Sequence, residues 1–304
     1  MSETAEIDVN RGREIAPLLI RLFGSIGIHG KSDRPEDAVP SGIVKGSTAH
    51  LMFITLTIAI GYQRDASSLW ESARSTYLDS ETRYLFDSRS VSAASLSDIR
   101  RDLKKHGLSK KTRNDAYIWK TNAKSFYRKW AGDPCRLLES CGWDCLTVLA
   151  RLEQDHHQFG EASKADYPYL RDPMTGSLWL RMLRDDAGLS RLKNLDRVAL
   201  PVDIHIARAT LTTGVVRGRF KGNLTDLFGH IRETWFESVR GLTVRGRPMV
   251  ATDLNECLWN LSKHGCSKRH KAGSLCPVSD NCAVREFCVS GVVSIENGNV
   301  ELDT

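Results

Sequence analysis

Long hydrophobic runs are missing from this sequence. Its most apolar stretch, LMFITLTIAI at Leu51–Ile60, is too short to span a bilayer and is broken by threonines. The opening residues, MSETAEIDVNRGRE, are polar and show no secretory pattern. These absences argue against a membrane partner and lead us to expect a cytoplasmic chain. No internal repeat or long low-complexity tract occurs, which excludes a repeat architecture. Strand-like alternation is scarce, the clearest hairpin signal being Asn297-Gly298 within Val292–Val300. No flavin or nucleotide motif is visible.

What is present reads as helix. The chain has 304 residues, 41% hydrophobic and 26% charged, enough for one large domain or two ordinary ones. Ile15–Phe23 is apolar-rich and ends in a glycine-rich joint. Ser47–Tyr62 is the most apolar helix and belongs at the centre of a core. Ala66–Tyr77, Ser97–His106, Asp115–Trp130 and Leu146–Leu152 follow. In Leu170–Gly188, Pro173 and Gly176 predict a tight turn between two helical patterns. Pro201-Val202-Asp203 precedes the apolar-periodic IHIARATLTTGVV, so Asp203 stands where an N-cap belongs, at the positive end of a helix. The expected class is all-α.

The formal net charge is +6. From Arg100 to Trp130 there are eleven Lys and Arg against two Asp, interleaved with Tyr117, Trp119, Phe126, Tyr127 and Trp130. Basic groups neutralise phosphates and aromatics stack on bases. The same pattern also describes a solvated helix face over core aromatics. Two smaller basic groups recur, Arg217-Gly218-Arg219-Phe220-Lys221 and Lys268–Lys271. Three clusters together point to nucleic acid as the partner.

There are eight cysteines. Four of them, Cys266, Cys276, Cys282 and Cys288, crowd one segment at intervals of nine, five and five residues. In a reducing compartment such a group indicates metal or cluster ligation rather than disulfides. Four thiolates suit a [4Fe–4S] cluster or Zn²⁺. Zinc sites usually contain a close cysteine pair, and these four contain none. The cluster is therefore the expected group, with zinc the alternative. It would hold the Lys268–Lys271 loop, with Lys268, Arg269 and Lys271, as a basic finger against a phosphate backbone. Cys135, Cys141 and Cys145 read as buried core residues, and Cys257 as packed within a helix.

Four stretches together resemble the helix-hairpin-helix DNA glycosylases, the endonuclease III superfamily. PVDIHIARAT (Pro201–Thr210) is similar to that family's catalytic-aspartate segment. LRDPMTGSLWL (Leu170–Leu180) lies where the family keeps its hairpin. The four-cysteine segment lies where many members hold a [4Fe–4S] cluster. ITLTIAIGYQRDA (Ile54–Ala66) resembles the early helix that ends in a DNA-probing glutamine, here Gln63. The resemblance covers roughly residues 47–288. Two departures stand out: Met174-Thr175-Gly176 replaces the usual Gly-x-Gly, and the cysteine intervals differ from the commonest six-two-five.

The resemblance implies two helical domains flanking a cleft, residues 47–195 and 1–46 with 196–304. It implies Asp203 as the catalytic carboxylate, stabilising the oxocarbenium-like charge of a breaking N-glycosidic bond. An N-cap role can coexist with that one. Thr175, Gly176 and Ser177 would grip a phosphate, and Gln63 would fill the gap left by an everted base. Bifunctional members carry a lysine near the hairpin, which forms a Schiff base. Here no lysine occurs between Lys164 and Lys193, so the expected enzyme is a monofunctional DNA glycosylase acting as a monomer, in base excision repair or in restriction of modified DNA. The alternatives are a non-catalytic DNA-binding protein on the same scaffold and, more weakly, an iron–sulfur electron carrier, for which the chain offers no electron acceptor.

Overall fold

The computed structural model describes residues 4–23, 28, 39–62, 64–159, 162–270 and 276–304. Gln63 and Lys271, two of the expected DNA contacts, lie outside the described residues.

Helices dominate, and most begin at a short polar side chain that caps the first free amides. A short strand β1 (Thr4–Ile7) leads into α1 (Val9–Leu22), capped by Asp8. Then follow α2 (Thr48–Ala59, capped by Ser47), α3 (Ala66–Leu78, by Asp65), α4 (Ser88–Ala93, by Asp87) and α5 (Leu96–Lys105, by Ser95). The long α6 (Thr112–Trp130) precedes α7 (Pro134–Ser140, capped by Asp133) and α8 (Cys145–Gln154, by Asp144). A hairpin of β2 (His156–Phe159) and β3 (Ala162–Ala165) leads to α9 (Pro173–Asp185, capped by Asp172). After α10 (Ile204–Thr212, capped by Asp203) come β4 (Val216–Asn223) and α11 (Phe228–Val239). The chain ends with β5 (Thr243–Val244), β6 (Arg247–Pro248), α12 (Asn255–His264), β7 (Val292–Glu296) and β8 (Asn299–Asp303).

The all-α expectation misses a sheet. β1, β4, β8 and β7 pair antiparallel in that order. Only the β7–β8 hairpin, turning at Asn297-Gly298, was legible locally. The basic residues of β4 line its exposed positions and meet acids: Arg217 pairs with Asp8 at 3.2 Å, Arg219 with Asp303 at 3.1 Å, and Lys221 with Glu301 at 3.4 Å. This second basic cluster is thus a row of ion pairs, two of them across β4 and β8 and one to the cap of α1. Gly218 sits opposite β1 at φ +114°, where an added Cβ would stand 2.4 Å from the Thr4 carbonyl oxygen.

The chain divides into two compact units, Met1–Ser32 with Asp196–Thr304, and Asp33–Leu195. In the second unit α2 is apolar on all sides and correspondingly buried from His50 to Ala59. Phe53 packs 5.8 Å from Trp70 and 5.1 Å from Phe86, which in turn meets Trp119 at 5.3 Å. Trp179 on α9 donates its indole N–H to Thr55 Oγ1 on α2 at 2.9 Å. Lys129 of α6 reaches Asp155 at 2.8 Å and Asp166 at 2.6 Å, on either side of the β2–β3 hairpin.

In the first unit α1, α10, α11 and α12 pack with the sheet around Ile15, Leu19, Ile206, Leu211, Trp235 and Leu258. Trp235 donates to Thr210 Oγ1 at 2.8 Å, fixing α11 to α10.

Candidate active site

Asp203 is delivered to its place by a buried Pro201-Val202 joint. The Pro201 carbonyl accepts from Asn255 Nδ2 at 3.5 Å and the Leu200 carbonyl from Arg232 Nε at 3.4 Å. Asp203 itself is half-buried. Its Oδ1 accepts both the His205 amide at 2.8 Å and the Ile206 amide at 2.9 Å. Oδ2 accepts no hydrogen bond from any described residue. Nine of the twelve helices above start at an Asp or Ser cap, so capping alone assigns Asp203 no chemistry. What the site offers is a carboxylate with one oxygen engaged and one open, at the positive end of a helix dipole.

α12 supplies the neighbouring wall. The His205 ring lies 5.4 Å from the ring of Trp259 and its Nδ1 3.4 Å from the buried Ser262 Oγ. Lys263 Nζ stands 4.4 Å above Trp259. Arg208, one turn into α10, is lowered from the usual guanidinium range by burial, while Cys266 and Asp203 pull it back up. It therefore feels both the candidate carboxylate and the cysteine segment. Sequence reasoning missed Trp259, Lys263 and Arg208. The only signal was that Arg208 falls within IHIARAT, the segment that follows Asp203.

The four late cysteines share one neighbourhood. Cys266 and Cys276 are buried, Cys282 and Cys288 half-buried. Burial pushes the Cys266 thiol up, and Cys288, Cys282 and Cys276 push it further. Burial likewise raises Cys282 to about 11. Cys288 is raised by burial and drawn down by Arg269 and Arg11. Among the described residues no three His, Cys, Asp or Glu side chains stand close enough to hold a metal ion. The donor chemistry nevertheless fits a group carried on four thiolates. Arg269 Nη1 is buried with no hydrogen-bond partner among the described residues, and such a group, being net negative, would satisfy it.

Arg269 is not on a free basic finger. Its Nη2 donates to the carbonyls of Val289 at 2.8 Å and Gly291 at 3.1 Å, tying down the chain just after Cys288. Lys268 is exposed. Arg11 on α1 works from the other side, donating to the Thr213 and Phe287 carbonyls, each at 2.6 Å.

The stretch expected to form the hairpin folds differently. Pro173 and Gly176 do not bracket a turn, because Asp172 caps and Pro173 begins a single helix, α9. Asp172 Oδ1 takes the Met174 amide at 3.0 Å and the Thr175 amide at 3.3 Å. Gly176 faces inward, where a Cβ would lie 2.7 Å from Leu149 Cδ2 and 3.1 Å from the Leu170 carbonyl oxygen. Ser177 is 2% exposed. Thr175 stands beside them at the first turn. Between α8 and α9 lies the β2–β3 hairpin. Of the basic Arg100–Trp130 stretch, Trp119 and Phe126 are core, while Tyr117 and Tyr127 are 36% and 38% exposed.

No protein family matches the sequence, and no curated protein matches it either. Its fold is similar to the solved structure of a thermostable thymine-DNA glycosylase, with a TM-score of 0.51 at 14% identity over 92% of this chain and 99% of that one. The likeness runs nearly the full length of both chains. At that identity it establishes the fold: this chain is built like a DNA glycosylase.

Proposed function

We propose that this chain is a DNA glycosylase that everts a damaged, mismatched or modified base and hydrolyses its N-glycosidic bond. The observation that carries the reading is Asp203, a carboxylate with one oxygen spent on its own helix and the other open, in a chain folded like a DNA glycosylase. As the base leaves, positive charge builds on the deoxyribose, and a fixed carboxylate beside it stabilises that charge more than it stabilises the ground state. Water completes the reaction. No lysine occurs in the sequence between Lys164 and Lys193 to form a Schiff base, so the reading is monofunctional. Lys263, above Trp259 on the helix next to α10, is the lysine to examine if strand cleavage is found.

Cys266, Cys276, Cys282 and Cys288 would hold a [4Fe–4S] cluster, with zinc the alternative. The group would supply structural cross-linking, not reaction chemistry. Anaerobically purified protein should then be brown and contain iron and sulfide; a colourless protein holding one zinc would replace the cluster by the alternative.

The test is base release from duplexes and single strands carrying uracil, oxidised, alkylated, mismatched or hypermodified bases, with hot alkali to reveal abasic sites. Alkali-dependent cleavage of one substrate, lost in Asp203→Asn, is the expected result. A second reading, a non-catalytic DNA-binding protein on the same scaffold, draws on the inward-facing Gly176 and buried Ser177. Salt-sensitive DNA binding with no release from any substrate would favour it.

A further inference from the structure

The segment after α2 is tied to the loop before α6 by one buried carboxylate. Asp115 accepts the Tyr62 hydroxyl at 2.6 Å, the Ser109 hydroxyl at 2.8 Å, and the amides of Lys110 at 3.0 Å and Lys111 at 2.9 Å. Arg64 adds hydrogen bonds to the Leu108 and Gly107 carbonyls. The Tyr62 ring is thereby fixed, and Lys111 Nζ lies 4.8 Å from its centroid.

Against Tyr62 stacks Tyr169, with ring centroids 4.2 Å apart and planes 20° from parallel. Tyr169 is held there against its own backbone preference. Its φ is +64°, in the left-handed region that non-glycine residues rarely adopt. The two preceding residues impose this. Tyr167 is buried and accepts the Trp130 indole N–H at 2.6 Å, and the Pro168 carbonyl accepts from the buried Asn122 at 3.0 Å. The third residue, Tyr169, is 40% exposed. Its placement suits a third flat ring joining the stack.

We propose that the Tyr62–Tyr169 pair is a platform on which one unpaired nucleobase of bound DNA stacks. Tyr169 supplies the face and Lys111 the charge for an adjoining phosphate. A paired base shows a protein only its edges, so the ligand is an unpaired one. A base offers a flat π face of the size of the phenol ring, whatever its identity. The inference rests on the DNA reading above and adds to it the residues that hold a base.

The experiment uses full-length protein in an Asp203→Asn background, so that no base is released. One duplex carries a single bulged 2-aminopurine; a second is fully paired. The background protein and its Tyr169→Phe variant should quench the 2-aminopurine and bind the bulged duplex within about twofold of each other. Tyr169→Ala and Tyr169→Gly should lose the quenching and bind the bulged duplex roughly tenfold more weakly, the size of one lost base stack. Their binding to the paired duplex should not change, and both should melt cooperatively, the glycine variant no lower than the alanine one because it relieves the backbone. The glycine variant relieves the backbone, so its agreement with alanine assigns the effect to the ring. Full quenching and affinity in Tyr169→Ala would overturn the platform, as would an equal loss on both duplexes. If wild-type protein releases no base yet these variants behave as expected, the glycosylase reading fails and the platform stands. If no variant binds DNA at all, both fail.

Discussion

On the proposed reading Asp203 would carry two jobs, helix cap and catalytic carboxylate, which one pair of substitutions separates. In Asp203→Asn the amide oxygen can still accept the His205 and Ile206 amides, which the native Oδ1 holds at 2.8 and 2.9 Å. Asn is as good an N-cap as Asp, so the fold should lose only a few tenths of a kcal/mol. The negative charge is gone, however, and Oδ2, which accepts no hydrogen bond from a described residue, becomes a donor. Base release should fall by at least two orders of magnitude, on the scale seen when one preorganised charge-stabilising group is removed. Asp203→Ala removes the charge and the cap together. It should be as inactive as the asparagine variant and, in addition, about 1 kcal/mol less stable, equivalent to roughly 2–4 °C in melting temperature for a chain of this size. Single-turnover base release and thermal melting of all three proteins give the four numbers needed. An active Asp203→Asn would refute the charge argument outright. An Asp203→Ala protein that melts with wild type would show that the cap contributes nothing to stability.

Four other perturbations test the framework. Gly218→Ala should cost about 1–3 kcal/mol and raise amide exchange in β1, because the new Cβ meets the Thr4 carbonyl oxygen at φ +114°. Thr55→Val should cost about 1–3 kcal/mol in urea unfolding by orphaning the buried Trp179 indole N–H, and cost less in a Trp179→Phe background. Burial, and then Lys45, lowers the buried His50 from its usual 6.5. The unfolded chain therefore takes up that proton first, and stability should be intact above pH 6.5 and fall as pH drops towards the folded value; melting from pH 7.5 to 5.5 should lose more in wild type than in His50→Gln. Cys288→Ser should lower the iron content and brown absorbance of anaerobically purified protein.

Features written in consecutive residues were legible, and those depending on distant pairing were not. The apolar run of α2, the Asp203 cap and the Asn297-Gly298 turn each declare themselves locally. The sheet does not: β1, β4 and β8 come from far-apart segments, and β4 hides a strand under two glycines and three charges. Its Arg217, Arg219 and Lys221 do alternate, which is the strand period, but their clustering suggested a nucleic-acid patch. Pro173 and Gly176 were misread for a related reason. Proline opens a helix as readily as it closes one, and Gly176 is small because Leu149 and the Leu170 carbonyl crowd it, not because the chain turns. The Tyr62–Tyr169 stack joins two segments whose spacing carries no signal at all.

Arg269 shows why a count of charges misplaces a site. Its place in a basic run suggests a surface cation, yet it holds two carbonyls beyond Cys288, while Arg11 holds Thr213 and Phe287. The Thr212 carbonyl accepts the Val289 amide at 3.0 Å. The cysteine segment is therefore fastened to the C-terminal end of α10, the helix whose N-terminal end presents Asp203. Nine residues of helix separate those ends by about 13 Å. A group on the four thiols would lie towards the end of α10 opposite Asp203. Its influence would reach the carboxylate through the rigidity of α10 and through Arg208, which feels both Cys266 and Asp203. Losing that group should therefore loosen the setting of the carboxylate before it changes anything in the chemistry itself.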